Sequence, residues 1–339
     1  MFPFPDRPRL WGVAVSHYQV EGGDPCDWSD WTSRGGPCGA AVGSWDRYED
    51  DALLARDIGA NAFRFSISWS RVESDPHALA RYRRFVEHLL AHDLEPAVTL
   101  FHYTHPRDFH ELTPWTSPAS VDRFARFAAK AADALGDLVR FWIPLNEPLV
   151  FLLAGFLDAQ IPPGIAQPRV LARVFDHLLA AHVAAAAAIR ERSPRAAIGI
   201  AHNMMGFAPE RRWNPLDRLL ARTAHRMYNR GVIEAFATGR WSFFVPPATM
   251  LRGRRDDLQK SLDVFGVNFY SRLHMRSPGR ERMIGDFAYR DRSGIGLTDN
   301  GWEVIPSALG AMLDEAPDDP VDEEDADGGD QAGEDRLLR

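Results

Sequence analysis

The sequence predicts an α/β fold of the (β/α)8 TIM-barrel type, of which about six of the eight strands can be recognised. Three observations support this fold. Short apolar runs, typical of strands buried on both faces, alternate with amphipathic helical stretches over roughly 300 residues. No glycine-rich phosphate-binding loop is present, which disfavours a nucleotide-binding doubly wound sheet. No linker or internal repeat divides this part of the chain, so a single barrel unit is expected.

The predicted elements follow from periodicity. The strand-like runs are residues 10–15, 62–66, 97–100, 141–145, 198–202 and 264–268. Apolar residues at helical spacing predict helices at 46–58, 120–135 and 170–189, the last of which is rich in alanine. A further helix is expected over 302–313, after the sixth strand. A closed barrel of this type has eight strands, so the sequence predicts an incomplete one.

The last residues have a different composition. The stretch 314–335 contains twelve acidic residues and no basic one, and 318–335 has almost no apolar side chain. Such a segment cannot bury enough surface to offset the loss of conformational entropy on ordering. The sequence therefore predicts two units, a partial barrel at 1–317 and a disordered acidic tail at 318–339.

Composition also excludes several classes of protein. The formal charge of −8 arises mainly in the acidic tail, because the remaining 37 basic and 35 acidic residues nearly cancel. This near-neutral body disfavours nucleic acid as a partner. Cys26 and Cys38 are the only cysteines, which fits neither a disulfide scaffold nor a zinc site. The absence of a leader-like segment and of an apolar run of about 18 residues predicts a cytoplasmic protein that does not enter a membrane.

Asn146-Glu147-Pro148 follows the fourth predicted strand directly. Barrel enzymes place their catalytic groups at the C-terminal ends of the strands. A carboxyl group there can protonate a glycosidic oxygen, and the neighbouring amide can hydrogen bond a sugar 2-hydroxyl. The alternative is that Glu147 merely begins a helix at Pro148, and the tripeptide alone does not distinguish the two interpretations.

Six further segments support the catalytic interpretation. In chain order they are residues 11–22, 45–51, 63–71, 100–103, 162–164 and 265–270. Together with Asn146-Glu147-Pro148, their order and spacing resemble glycoside hydrolase family 1, which includes β-glucosidases, β-galactosidases and 6-phospho-β-glycosidases on a (β/α)8 barrel. The resemblance spans roughly residues 8–314.

The resemblance implies roles for individual residues. It implies that Glu147 is the catalytic acid/base and that Asn146 holds the sugar 2-hydroxyl. Gln19 and His102 would hydrogen bond other sugar hydroxyls, and Arg64 and Tyr270 would hold the carboxylate of the catalytic nucleophile. Each residue also has a purely structural interpretation, for example Arg64 as an ion-pair partner. The ordered set of motifs favours the functional one.

The nucleophile itself is not found. The family carries it in a Thr-Glu-Asn-Gly segment on the seventh strand, followed by a tryptophan-rich loop after the eighth, and neither occurs here. Thr298-Asp299-Asn300-Gly301 is similar to the Thr-Glu-Asn-Gly segment. The residues that follow it, however, resemble those that begin the helix before the seventh strand in the family, so Asp299 is expected at a helix start. Glu323 and Glu324 are poor substitutes, because their acidic surroundings lack the apolar residues of a buried strand.

Neither a metal nor another cofactor is expected, because the twelve histidines form no recognisable ligand cluster in the sequence. Trp28, Trp31 and Trp115 follow the first and third strands. They can line a site for the aglycone of a glycoside, although packing within loops is the favoured interpretation.

The function predicted from these observations is a retaining β-glycosidase-type hydrolase of O-glycosyl compounds, similar to β-glucosidases and impaired by the missing nucleophile strand. Its expected partner is a small carbohydrate, a β-glycoside. Two alternatives are a non-catalytic carbohydrate-binding barrel and a non-functional fragment of an interrupted gene. Hydrolysis of a β-glycoside distinguishes the first possibility from the other two.

Overall fold

A computed structural model describes residues 10–31, 37–245, 249–277 and 286–316. The acidic tail predicted at 318–339, with Glu323 and Glu324, lies outside the described residues. The described part forms a curled, mainly parallel sheet with helices on its outer side, which is the arrangement of an incomplete (β/α)8 barrel. The predicted fold class is therefore confirmed.

The strands are β1 Gly12–Ala14, β2 Ala62–Ser66, β3 Glu95–Phe101, β4 Phe141–Leu145, β5 Ala197–Pro209, β6 Arg240–Val245, β7 Thr249–Arg254, β8 Val264–Arg276 and β9 Asp286–Ala288. The helices are α1 His17–Val20, α2 Ser44–Asp57, α3 Trp69–Ser74, α4 Ala78–Ala91, α5 Phe109–Leu112, α6 Ala119–Leu135, α7 Pro148–Phe156, α8 Leu171–Arg192, α9 Pro215–His225, α10 Gly231–Thr238 and α11 Ser307–Leu313. A 3-10 turn at Pro168–Val170 precedes α8, and a π-helical turn at Arg226–Arg230 follows α9.

The main sheet has the order β1-β2-β3-β4-β5-β8-β9. The first six of these strands are parallel and correspond to the six predicted strands, while β9 is antiparallel to β8. β5 and β8 are longer than predicted because they continue as a pair past an irregularity between Met204 and Gly206. β6 and β7 form a separate antiparallel hairpin that the sequence patterns did not predict.

Side-chain alternation along β2 positions its one charged residue. Phe63 and Phe65 are buried and their rings contact Phe85 of α4 at centroid distances of 5.5 and 4.8 Å. Arg64 lies between them and therefore projects to the opposite face of the sheet. The apolar packing of two phenylalanines thus places a guanidinium on the inner side of the barrel.

The long helix α8 packs on α6 over the outside of β4. The segment Pro168–Arg192 is long and apolar enough to cross a membrane by length and composition, but half of its apolar window is buried within the protein. Its buried residues include Val174, Phe175, Leu178 and Ile189, which belong to the hydrophobic core. Their spacing is that of a helix with one face against a core.

The predicted helix at 302–313 begins later than expected, at Ser307 after Pro306. The Thr298 amide donates to the Trp302 carbonyl oxygen, and Gly301 takes a positive φ of 75°, so residues 298–302 form a tight turn. The expectation that Asp299 begins a helix is therefore wrong. Asp and Asn favour turns as well as helix starts, and Gly301, with its positive φ, favours the turn at this position.

One edge of the parallel sheet is open in the part of the chain that the structure describes. β1 pairs there with β2 alone. Trp11, which directly precedes β1, is 69% exposed, and Leu54 and Ile58 at the C-terminal end of α2 are 62% and 66% exposed. Within the described residues, this edge thus has backbone groups without a neighbouring strand, next to the exposed Trp11 side chain.

Candidate active site

Glu147 lies at the C-terminal end of β4, where the strand turns directly into α7. Its amide donates to the Ala201 carbonyl oxygen at 2.6 Å, and the Asn146 amide donates to that of Phe101 at 3.0 Å, so both neighbouring strands hold this segment. Glu147 has a left-handed backbone with φ of 47° and ψ of 58°, and Pro148 begins the helix. Residues other than glycine seldom adopt this backbone conformation, and such strain often occurs at functional sites.

The Glu147 side chain is buried, with 6% of the residue exposed, and both its carboxylate oxygens accept hydrogen bonds. The Tyr103 phenol donates to Oε2. The Asn268 Nδ2 amide donates to Oε1 at 2.5 Å. These two donors come from the loop after β3 and from β8, so strands on both sides of Glu147 fix its orientation.

Arg64 projects from β2 into the same region. Its Nε donates to Thr99 Oγ1 at 3.1 Å, Nη2 donates to Asn146 Oδ1 at 2.5 Å, and Nη1 donates weakly to Asn268 Oδ1 at 3.4 Å. All of these acceptors are uncharged. Burial lowers the pKa of Arg64, and the nearby Glu147 carboxylate opposes that effect. The site therefore contains a partly buried guanidinium whose hydrogen bonds, among the described residues, involve no carboxylate.

Asn146 and His102 are also brought together. Asn146 Nδ2 donates to His102 Nε2 at 3.4 Å. Burial, together with the charges of Arg64 and His17, lowers the pKa of His102 to about 3, so its imidazole is neutral. Because Nε2 is the acceptor, Nδ1 carries the proton, and this buried atom has no hydrogen-bond partner within the described part of the protein.

Tyr270 and Gln19 lie at the exposed margin of this group. Tyr270, on β8, is 50% exposed, and burial together with the Glu147 carboxylate raises its pKa to about 12. Gln19 lies on the short helix α1 after β1 and is exposed. No hydrogen bond of its side chain occurs with any residue that the structure describes. The structure thus brings five of the six predicted residues into one network and leaves Gln19 apart from it.

Two residues at the centre of the network were not predicted as site residues, Tyr103 and Asn268. Each occurs in a motif that the sequence analysis quoted, 100–103 and 265–270, within two residues of a predicted site residue. The available signal was position, since each is a polar residue at or near the C-terminal end of a predicted strand. Nothing in the local pattern indicates that both side chains reach Glu147.

Two of the histidines lie in a cluster with an aspartate that the sequence analysis did not recognise. Asp27, His105 and His110 place their possible ligand atoms within 4.8 Å of one another. Asp27 Oδ2 lies 2.8 Å from His105 Nδ1 and 2.9 Å from His110 Nε2. However, Trp115 Nε1 donates to His105 Nε2 at 2.7 Å, which places the His105 proton on Nδ1, facing Asp27. The arrangement is that of a hydrogen-bonded cluster joining the loops after β1 and β3.

The three loop tryptophans have different surroundings. Trp115 is completely buried, which agrees with packing inside the protein. Trp31 lies against Gly164, where an added Cβ would come within 2.4 Å of the indole ring. The partly buried Trp28 donates from Nε1 to the Tyr103 carbonyl oxygen at 2.9 Å and so supports the loop that carries Tyr103.

No second carboxylate joins Glu147 in the network made by the described residues. Asp299 is exposed in its turn. Glu303 is completely buried but accepts two hydrogen bonds from Arg272, at 2.9 and 2.7 Å, and lies 3.1 Å from His274 Nε2. These contacts hold Glu303 in an ion pair of its own. The arrangement around Glu147 can supply one proton-transferring carboxyl group, a cation and several amide groups.

The chain matches the family model of Glycosyl hydrolase family 1 over residues 3–315. The 1,4-beta-D-glucan glucohydrolase of Thermotoga neapolitana is 28% identical over 329 residues, covering 88% of this chain and 76% of that protein. The 6-phospho-beta-galactosidase of Clostridium acetobutylicum is 26% identical over 359 residues, covering 90% and 74% respectively.

Solved structures of glycosidases are also similar to this chain. The family 1 b-glucosidase from Thermotoga maritima is 25% identical, with a TM-score of 0.78 over 90% of this chain and 74% of that one. The beta-glycosidase from Pyrococcus horikoshii is 27% identical, with a TM-score of 0.77 over 90% and 72%. The Thermotoga maritima enzyme has also been solved in complex with castanospermine, with a TM-score of 0.78 to this chain and the same 25% identity over 90% and 73%.

Proposed function

The chain belongs to glycosyl hydrolase family 1, and from this membership we propose that it is a retaining β-glycosidase-type hydrolase of O-glycosyl compounds with a β-glucosidase-like sugar preference. The observation that carries the proposal is the convergence of Arg64, Asn146, Glu147 and Asn268 at the C-terminal end of the sheet. These side chains come from β2, from the end of β4 and from β8, so only the assembled barrel brings them together.

In the proposed reaction, the Glu147 carboxyl group gives its proton to the glycosidic oxygen while the bond from that oxygen to the anomeric carbon breaks. A second carboxylate attacks the anomeric carbon and forms a covalent glycosyl ester. Water then attacks the same carbon, Glu147 takes up the proton of that water, and the ester bond breaks. Arg64 and Tyr270 would hold the attacking carboxylate, and Gln19, His102 and Asn146 would bind the sugar.

We also propose that this chain by itself turns over slowly. Among the described residues the hydrogen bonds of Arg64 go to uncharged oxygens, and Glu147 is the one carboxylate in the network. Without an attacking carboxylate, protonation of the leaving oxygen alone does not form the covalent intermediate. The same observation favours a second candidate function, a barrel that binds carbohydrate without cleaving it.

Two measurements test these proposals. Hydrolysis of 4-nitrophenyl β-glucoside by the purified chain should be detectable and should depend on Glu147, which supports the glycosidase; its complete absence leaves the binding function. Castanospermine should raise the melting temperature under either proposal. A ligand at 100 times its Kd stabilises the folded state by about 2.7 kcal/mol. Failure of both hydrolysis and stabilisation would overturn both proposals and favour a non-functional fragment.

A further inference from the structure

Glu147 has two different kinds of hydrogen-bond donor on its two oxygens. The Asn268 amide group on Oε1 can only donate through its nitrogen. The Tyr103 hydroxyl on Oε2 can donate to a carboxylate and can also accept from a carboxylic acid. Of these two donors, the phenol is the one whose role can change when Glu147 gains or loses a proton.

Tyr103 is itself held firmly in place. Trp28 Nε1 donates to its carbonyl oxygen at 2.9 Å. Its ring stacks on Phe151 of α7, with a centroid distance of 6.3 Å and an interplanar angle of 14°. Its backbone is left-handed, with φ of 71°, which an ordinary residue adopts only when its surroundings require it. The Tyr103 hydroxyl is therefore directed at Glu147 by contacts from the Trp28 loop and from α7.

The Tyr103 phenol is expected to be protonated at neutral pH. Burial, followed by the charge and hydrogen bond of the Glu147 carboxylate, raises the pKa of Tyr103 well above its usual value. The phenol therefore keeps its proton at neutral pH and acts as a donor to the carboxylate. A donor to a carboxylate stabilises the ionised form relative to the protonated form.

We propose that Tyr103 is a positioning residue for Glu147, which fixes the direction of its carboxyl group and supplies a hydrogen bond to its ionised form. The acid/base role of Glu147 rests on the proposed function, whereas the hydrogen bond itself does not. The other titratable or charged groups that face Glu147 are Arg64 on β2, Tyr270 on β8 and Tyr228 in the π-helical turn. Their side chains are kept in Tyr103→Phe, so the variant removes only the hydroxyl that donates to Glu147 Oε2.

The test uses Tyr103→Phe, which keeps the ring and removes the hydroxyl. The readout is the pH dependence of carbodiimide labelling of the Glu147 carboxyl group, measured by mass spectrometry of the peptide in the full chain. Because carbodiimides react with the protonated carboxyl group, labelling falls as the pH rises. The loss of one donor to the carboxylate should move the half-maximal labelling to higher pH by about one to two units.

Tyr228→Phe is the matched control, since the Tyr228 hydroxyl donates to Asn203 Oδ1 at 2.8 Å and not to Glu147. It should leave the labelling curve of Glu147 unchanged. Trp28→Phe is a second variant, which keeps the Tyr103 hydroxyl and removes the support of its backbone. Trp28→Phe should move the half-maximal labelling to higher pH, by less than Tyr103→Phe does. It also tests the proposal if Tyr103→Phe does not fold.

The possible results separate this inference from the proposed function. A shifted curve for Tyr103→Phe in a chain that hydrolyses no glycoside supports the positioning role and removes the glycosidase. Where hydrolysis is measurable, the alkaline limb of its pH profile should move together with the labelling curve. The inference would be overturned if folded Tyr103→Phe had the same labelling curve as the parent chain. If only Trp28→Phe folds, the same result for that variant would overturn it. So would an equal shift in Tyr228→Phe.

Discussion

Tyr103 donates a hydrogen bond to Glu147, and both residues have left-handed backbones, with φ of 71° and 47°. Each lies two residues after a strand, Tyr103 after β3 and Glu147 after β4, so two neighbouring strands are followed by strained residues whose side chains meet. Each such backbone costs of order 1–3 kcal/mol and persists only where the surrounding structure enforces it. Two of the five described non-glycine residues with positive φ therefore lie at the C-terminal end of the sheet, where the candidate active site lies.

Substitution of the carboxyl group tests its assigned chemistry. Glu147→Gln should lower hydrolysis of glycosides with poor leaving groups by about 10²–10⁴-fold, the range for general acid–base catalysis. Activated aryl glycosides should lose less, because their leaving oxygen needs little protonation. Glu234→Gln, at an exposed carboxylate of α10, is the control and should not alter either rate. Equal rates for Glu147→Gln and the parent chain on both substrate classes would exclude the acid/base role.

Small anions should increase cleavage of activated aryl β-glycosides. Formate or azide bound at the Arg64 guanidinium would attack the anomeric carbon and give a glycosyl formate or glycosyl azide, which product analysis would identify. Chloride at equal ionic strength serves as the control, and Arg64→Met should abolish the increase. Turnover at about 1 per second or faster without added anion would show that a nucleophile is already present. Asp299, Glu323 and Glu324 would then be the first residues to substitute.

The open edge at β1 should cause self-association. Trp11 is 69% exposed directly before β1, which has a single neighbouring strand among the described residues, and Ile58 at the end of α2 is 66% exposed. Size-exclusion chromatography with light scattering should detect oligomers at micromolar concentration, and the Trp11→Glu, Ile58→Glu double variant should shift the population toward monomer. The matched control is Trp213→Glu, since Trp213 is 76% exposed at a different site beside α9. A monodisperse parent chain would contradict this prediction.

Glu303 should make stability depend on acid pH. Burial alone raises the pKa of its carboxyl group, but hydrogen bonds from Arg272 and His274 outweigh burial and lower that pKa from 4.5 to about 2. The folded state therefore releases a proton that the unfolded state retains between these pH values. The free energy of unfolding should fall as the pH is lowered from about 4.5 toward 2.

Glu303→Gln is the corresponding variant. At neutral pH it should lose about 3 kcal/mol of stability, because it leaves the Arg272 guanidinium without its buried partner. Its stability should also depend less on pH in the acid range. Denaturant melts of both chains at several pH values measure these effects, and parallel pH curves would disprove the assignment to Glu303.

Glu21 should have the opposite effect on the pH dependence of stability. Burial raises the pKa of Glu21 from 4.5 to about 7, against the lowering effects of His17, Tyr82 and Arg71. Between these pH values the folded state binds a proton that the unfolded state has lost, so this residue lowers stability as the pH rises. Glu21→Gln should remove that slope. An unchanged slope from about pH 4.5 to 7 in the variant would show that another group titrates.

Sequence patterns were sufficient for the repeating part of the fold. Continuous apolar runs identified all six parallel strands, and β2 and β4 have their predicted ends. The same patterns placed Glu147 after the end of a strand and Arg64 within the second predicted strand. These features are local, because a strand's burial and the direction of its side chains depend on its own residues and on a period of two.

The tertiary structure alone decided which side chains meet. Asn268 and Glu147 are 121 residues apart, and Tyr103 and Glu147 are 44 apart, so their contacts depend on sheet register and on loop conformations. The Asp27–His105–His110 cluster likewise requires two loops to come together. Hydrogen bonds between distant residues depend on the relative positions of backbone segments to within a few tenths of an ångström. Local periodicity carries no information of that kind, and assembly of the core supplies it.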